Sequence, residues 1–257
     1  MIEPGELIQL QKTRGKNYIR CVPETDSIKM ADGRITAEQI TNSHYGDFVY
    51  THRGGEYRLV MATLSDLVKG VRRETQIIYP KDIGFILMKL RVFPGARVID
   101  AGAGSGSLAA AFAWFVGQEG AVYCYERRAD FCDLCRRNLE QFNLENRVEI
   151  REQDVEEGFE QNSVDAVFVD IRTPWTCLDA VQAGLKPGGL VGFLLPTTNQ
   201  VSSLLEALRE TSLDEPEVAE ILLRHYKGNP ERLRPDDRMV GHTGYLLFSR
   251  YHPEVVA

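Results

Sequence analysis

The stretch VIDAGAGSGSLAAAFAW, Val98 to Trp114, constrains the fold more than any other part of the chain. An apolar, β-prone run leads into glycines at every second position, and the alanine-rich residues behind them favour helix. Strand, glycine turn and helix form the opening unit of a doubly wound α/β sheet, whose ligands bind at the carboxyl edge of the strands. From Ala96 onward the alternation continues as that architecture requires: ARVIDAG, SLAAAFAWFVG, AVYCYE, the helix around Phe131, RVEIREQD, VDAVFVD, the helix after Pro174, and LVGFLLPT behind the turn LKPGG. After the helix NQVSSLLEALRETS, the runs EVAEILLRHY and TGYLLFSRY have no crossover helix between them. They are predicted to pair antiparallel, as a hairpin at the sheet edge.

The 257 residues suffice for a second, smaller unit. Residues 1–62 read as short β-prone runs, LIQLQK, NYIRCV and HYGDFVYTHRGGEYRLV, with Arg53-Gly54-Gly55-Glu56 as a hairpin turn. Residues 63–95 read as linking helices. ATLSDLVKGVRR has Thr63 or Ser65 near its cap, and IIYPKDIGFILMKL has Pro80 in its first turn, Asp82 at its positive end and an apolar stripe of Ile83, Ile86, Leu87 and Leu90. Residues 96–257 form the expected sheet domain.

No apolar run approaches the ~18 residues of a membrane span, and MIEPGELIQL lacks the charged and apolar regions of a secretory leader, so a cytoplasmic protein is expected. Five cysteines, an odd number without a framework spacing, are expected to be reduced. Cys132 and Cys135 form a C-x-x-C, but Phe131, Leu134, Cys135, Leu139 and Phe142 share one helical face and no second ligand pair accompanies them. Core packing is the expectation, and no metal. The net charge of −7 is awkward for a nucleic-acid binder. Basic residues nevertheless gather in KTRGK (Lys12 to Lys16), in Lys69, Arg72 and Arg73, and along Arg224 to Arg238, each with a solvated face as the competing reading.

Gly102, Gly104 and Gly106 are spaced G-x-G-x-G, whereas a dinucleotide fingerprint needs glycine or alanine at Ser107. A cofactor without a pyrophosphate relaxes that demand. Backbone groups of Gly104, Ser105, Gly106 and Ser107 can hold the methionine part of S-adenosylmethionine, with the helix end near its carboxylate. Glu126, ending the next strand in YCYERR, is suited to both ribose hydroxyls of either cofactor. Asp154, in REQDVEE, discriminates better, since it stands where an adenine N6 amine needs an acceptor; its competing reading is a helix cap. Asp170 ends the apolar strand VDAVFVD at the ligand-binding edge and is the residue assigned to chemistry, against an N-cap reading for the helix after Pro174. Trp175 is either a stacking platform or core packing.

VIDAGAGSGSL, YERR, VDIRTPW, LKPGGLVGFLLP with TNQV, and GHTGYLLFSR together resemble the class I S-adenosylmethionine-dependent methyltransferases, and within them the tRNA (adenine-58-N1)-methyltransferases of the TrmI type. QIIYPKD upstream of the loop narrows the resemblance, which covers nearly the whole chain. It implies a Rossmann-like methyltransferase sheet, methyl transfer from S-adenosylmethionine to N1 of adenine 58 in the tRNA T-loop, and a homotetramer. Gly102, Gly104 to Ser107, Glu126, Asp154 and Asp170 then look like cofactor contacts. Asp170 also looks like the residue that receives the target adenine. Tyr79 is similar to a family tyrosine near the active site, catalytic or substrate-binding, and His242 in GHTGY is a substrate-binding candidate whose plainer reading is a strand-entry histidine bonded to backbone. Arg172 departs from the pattern, an uncharged residue being usual between the aspartate and the P-W pair. Two alternatives stand beside this reading: a methyltransferase of the same fold acting on a small molecule or another RNA, and a non-catalytic tRNA-binding subunit.

Overall fold

The computed structural model describes residues 1–13, 15–74 and 77–253; Arg14 of KTRGK, Gln76 of QIIYPKD and the last four residues of the 96–257 span lie outside the described residues. The chain opens with β1 (Leu7–Gln11), β2 (Tyr18–Cys21), β3 (Ser27–Met30), β4 (Gly33–Thr36), the short α1 (Ala37–Thr41), β5 (Phe48–Tyr50) and β6 (Glu56–Met61). Four of these strands form an antiparallel sheet in the order β2-β1-β6-β5, while β3 and β4 pair with each other. The period-2 alternation sends Ile8, Leu10, Val49, Tyr57 and Leu59 inward, into a core shared with Ile2, Val22, Ile28 and Ile35. Tyr50 pairs with Glu56 across the expected Gly54-Gly55 turn.

Two helices lead to the main sheet. Thr63 caps α2 (Leu64–Gly70) in a reciprocal capping box with Asp66, and Pro80 opens α3 (Pro80–Lys89), whose Ile83, Ile86 and Leu87 are buried together with Leu90. The remainder alternates as β7 (Arg97–Ala101), α4 (Ser107–Val116), β8 (Ala121–Glu126), α5 (Ala129–Gln141), β9 (Val148–Glu152), β10 (Val164–Val169), α6 (Leu178–Gly184), β11 (Leu185–Leu195), α7 (Thr198–Leu208), β12 (Leu213–Ala219) and β13 (Tyr245–Tyr251). The seven-stranded sheet runs β12-β13-β11-β10-β7-β8-β9, with β7 to β11 parallel and β13 antiparallel to both of its neighbours. Successive strand residues feed opposite faces. Val98, Val122 and Phe168 pack with α3, α4 and α5, whereas Ile99, Val167 and Val169 pack with α6 and α7. This is the doubly wound sheet that the glycine turn requires.

Two local expectations need correction. The carboxy-terminal pair is antiparallel and stands at the sheet edge as expected, with β12 outermost and β13 beside β11, but its first strand begins at Leu213 and stops at Ala219, so ILLRHY lies outside it. Lys81 Nζ takes the carbonyl of Ile221 at 2.8 Å, removing an acceptor that a longer ladder would use, and Leu222 and Leu223 are exposed. LKPGG falls inside β11, where the pairing with β10 jumps from Leu185 to Leu190, and Gly188 takes a φ of +76°. That turn is a bulge within a strand. Cys132 and Cys135 are buried on the inner face of α5, as core residues.

Candidate active site

The ends of β7 and β10 approach so closely that the Asp170 N–H donates to the Ala101 carbonyl at 2.8 Å. Gly102, at a φ of +98°, makes that approach possible, because a Cβ there would lie 2.3 Å from the Asp170 carbonyl oxygen. Gly106 matters on the other side of the turn. A Cβ on it would meet Cys135 Sγ at 2.5 Å, so its absence lets α4 begin directly against α5. At Gly104 nothing outside its immediate neighbours comes nearer than 3.9 Å, which leaves the middle of the turn open. The turn is held by Gly102 and Ala103, whose N–H groups both donate to the Tyr125 carbonyl, and by Gly104, whose N–H donates to Glu126 Oε2 at 3.1 Å.

That turn forms one wall of a cavity of about 340 Å³ at the carboxyl edge of β7, β8, β9 and β10. Gly102, Gly104, Ser105, Ser107, Glu126, Asp154 and Asp170 all line it, so six positions read from sequence converge there with the assigned aspartate; Gly106 supports the turn from behind. Glu126 is fixed at both oxygens, by Gly104 and by the Arg128 N–H at 3.0 Å. Asp154 realises its capping alternative, accepting from the Glu156 N–H at 3.1 Å, and its second oxygen stands 3.6 Å from Arg127 while still facing the cavity. Arg172 is on the cavity wall as well. Trp175 packs, partly buried, into the α6–α7 side of the core, the second of its two readings.

Asp170 is exposed to the cavity yet enclosed by protein on its other sides. That enclosure, followed by the charge of Glu126, pushes its carboxyl up to about 6. Asp100, on the floor of the same cavity, was not among the sequence candidates. It is buried, its Oδ2 has no hydrogen-bond partner within the protein, and burial, then Asp170, then Glu126 push it up to about 8. Its legible signal was position: it is the last acidic residue of β7 before the glycine turn, on the same edge as Glu126 and Asp170. Ser107 Oγ, at the first turn of α4, is likewise buried without a partner in the protein.

Tyr79 and His242 are not part of the cavity lining, whereas Ile77 and Ile78 are. Tyr79 is the residue before Pro80 at the start of α3. His242 bonds the Pro196 carbonyl at 2.9 Å and Glu220 at 2.7 Å; the Glu220 carboxylate, then that carbonyl, raise its pKa. The segments that contain them, IIYPKD and HTGY, are nonetheless joined. Lys81 Nζ donates to Asp82 Oδ1 at 2.7 Å and to Thr243 Oγ1 at 2.5 Å, and the Thr243 hydroxyl donates to Asp82 Oδ2 at 2.8 Å. Asp82 is therefore the buried partner of a lysine, beyond the helix-end role expected from its position.

Comparison with known proteins leads to the same chemistry. Residues 67–237 match the family described as tRNA methyltransferase complex GCD14 subunit. The tRNA (adenine(57)-N(1)/adenine(58)-N(1))-methyltransferase TrmI of Methanocaldococcus jannaschii is 31% identical over 79% of this chain and 82% of that protein. The tRNA (adenine(58)-N(1))-methyltransferase TrmI of Thermus thermophilus is 30% identical over 97% and 98%. Among solved structures, tRNA (m1A58) methyltransferase TrmI of Aquifex aeolicus superposes with a TM-score of 0.75 at 35% identity, over 97% of this chain and 98% of that one. A structure from Thermotoga maritima described as a SAM-dependent O-methyltransferase does so with 0.82 at 37% identity, over 100% and 96%. With the family match spanning more than half of the chain and the Thermus thermophilus relative aligned almost end to end, the chain belongs to the tRNA (adenine-58-N1)-methyltransferase family.

Proposed function

We propose that this protein transfers the methyl group of S-adenosylmethionine to N1 of the adenine at position 58 in the T-loop of tRNA. The observation that carries the reading is Asp170, a carboxylate with a raised pKa on the wall of the same cavity as the glycine turn and Glu126. The cofactor fits the residues present. Gly104 leaves an open cradle, Ser107 Oγ and Asp100 Oδ2 are buried polar atoms without protein partners, and clustered carboxylates suit a positively charged ligand. The turn Gly102 to Ser107 would hold the methionine part, Glu126 the ribose hydroxyls, and Asp154 the adenine amine. When bound, S-adenosylmethionine supplies a methyl group activated by its sulfonium.

N1 of adenine carries its own lone pair, so the chain needs no strong base to start the reaction; alignment of the target supplies much of the acceleration. Asp170 accepts a hydrogen bond from the target N6 amine, stabilises the positive charge that grows on the ring, and takes up the proton that the methylated base gives up. Reaching that carboxylate requires the nucleotide to leave the tRNA core. Tyr79 and His242 belong to this reading as contacts to the tRNA beyond the cavity itself. So do the partition into units 1–62, 63–95 and 96–257, a homotetrameric assembly and a cytoplasmic location. Among the described residues no helix is long and apolar enough to cross a membrane.

The name of the Thermotoga maritima structure favours a second reading, in which a hydroxyl is the acceptor. Asp170 would then have to take the hydroxyl proton as a general base. Incubating the protein with S-adenosylmethionine and an unmodified tRNA transcript, then digesting the RNA and locating 1-methyladenosine by mass spectrometry, separates the readings. Methylation at position 58 is expected, and the same digest reports whether adenine 57 is modified. Cofactor binding without methylated adenine on several tRNAs would instead support another acceptor, and absence of cofactor binding would support a non-catalytic subunit.

A further inference from the structure

Two of the basic clusters that are separate in sequence meet in space. Lys16, from the first, and Lys69 and Arg72, from the second, line one cleft between β2 and α2, together with Arg20 and the ring of Tyr18. A second depression shares Arg20, Arg72 and Gln141 with it and adds Lys29, so the two form a continuous groove with five cations along it. Among the described residues none of the five is in an ion pair with a carboxylate. By contrast Lys12, of the same sequence cluster, is committed to Asp32. The one acidic side chain in the groove, Asp66, is taken up by the capping box at Thr63.

From this geometry we infer that the groove is a binding track for the phosphate backbone of RNA, separate from the methyl-transfer cavity. In a chain of net charge −7, five unpaired cations in one groove are not average surface, and a polyanion is the ligand that neutralises them together. Burial and the facing charge of Arg72 pull Arg20 below its usual pKa, as expected of like charges without a counter-ion. Tyr18, with Lys16 Nζ 5.9 Å and the Arg20 guanidinium 5.4 Å from its ring centre, adds an aromatic surface of the kind on which bases and riboses stack. The groove is also tied to the cavity wall through the protein interior. Asn138 bonds both backbone groups of Arg72, at 3.0 and 2.8 Å, and donates to the Ser105 carbonyl of the glycine turn at 2.8 Å. Ile77 and Ile78, a few residues further along the chain, line the cavity itself. An RNA held in the groove lies beside Arg72, whose backbone Asn138 ties to the cofactor turn.

This inference rests on the tRNA reading, and its test keeps the two apart. Lys16, Lys29, Lys69 and Arg72 are all exposed, so the quadruple glutamine variant K16Q/K29Q/K69Q/R72Q removes charge without opening the core. Binding of an unmodified tRNA transcript to the full-length protein is measured across a salt series, with S-adenosylmethionine binding as the check that the variant is folded. The expected result is a loss of roughly tenfold or more in tRNA affinity at low salt, and a fall of about three in the slope of log K against log salt. A control with the same charge change at exposed positions outside the groove, R34Q/R53Q/R209Q/R250Q, should leave most of that slope in place. If the groove variant keeps the parental slope and affinity, the track is overturned while methylation of tRNA by the parent still stands. A variant that changes oligomeric state without changing the tRNA slope assigns the groove to subunit contact and also overturns it. A parent that neither binds nor methylates tRNA overturns both.

Discussion

The cavity behind the glycine turn, lined in part by Ile77 and Ile78, and the groove beside α2, lined in part by Val71 and Arg72, differ in the charge they leave unanswered. In the cavity, Asp100, Glu126 and Asp170 stand close enough for Glu126 to raise both aspartates, while the nearby Arg127 and Arg128 have partners of their own in Asp154 and Asp130. In the groove the unanswered charges are positive. A third arrangement shows what a finished pair looks like: Lys81 and Asp82 are both buried and bonded to each other and to Thr243, so the chain supplies both signs. Where both charges come from the chain the pair is structural. Where only one does, the missing sign identifies the ligand, a cation for the cavity and a polyanion for the groove.

Breaking the finished pair should have the largest effect. Asp82→Ala leaves the Lys81 ammonium buried without its counter-ion, which typically costs about 3–5 kcal/mol. Urea unfolding of the variant should show that loss, and a change below about 1 kcal/mol would mean that the pair relaxes into water and is not structural. Asp170→Asn comes next, because an amide oxygen of the same shape accepts weakly and cannot take a proton. Turnover of tRNA should fall on the order of 10²–10³-fold with S-adenosylmethionine affinity changed only a few-fold, so retained turnover would remove Asp170 from the reaction. In the parent, the ionised form of Asp170 predominates above about 6. The profile of kcat/KM should therefore fall about tenfold per unit below that pH. A smaller effect is expected at the join between the two regions. Asn138→Ala strands the Arg72 N–H and two carbonyl groups, a loss of about 1–3 kcal/mol that should also weaken cofactor binding through Ser105. Unchanged cofactor affinity would show that the groove and the turn are mechanically separate.

These regions were not equally legible in the sequence. The glycine turn announces itself because backbone geometry leaves little choice: Gly102 must admit a carbonyl oxygen and Gly106 a sulfur, and no other residue fits either position. Glu126, Asp154 and Asp170 were readable because a parallel sheet brings its strand ends to one edge, so a carboxylate at the end of a strand has a known destination. Asp100 escaped notice for the opposite reason. It sits one residue inside a strand, where a charge looks like a flaw in an apolar run until its neighbours in space are known. The groove was half visible, as two basic clusters about fifty residues apart in sequence whose meeting depends on how β2 docks on α2. The course of residues 220–226 was misread because strand-like composition does not supply a partner strand, and Lys81 holds one of the carbonyls that a partner would need.

The finest test of the cavity is whether its carboxylates sense one another. Burial is the first cause of the raised pKa of Asp170 and the charge of Glu126 the second, so removing that charge should lower the midpoint without abolishing the shift. Glu126→Gln keeps the shape and one acceptor of the side chain, at the expense of a higher KM for S-adenosylmethionine where the ribose hydroxyls lose a carboxylate. With cofactor kept saturating, the acid limb of kcat/KM for tRNA should move down by a fraction of a pH unit. A midpoint that stays at about 6 would mean that water in the open cavity screens the two groups from each other. The acidity of the cavity would then be a sum of independent sites, each set by its own burial.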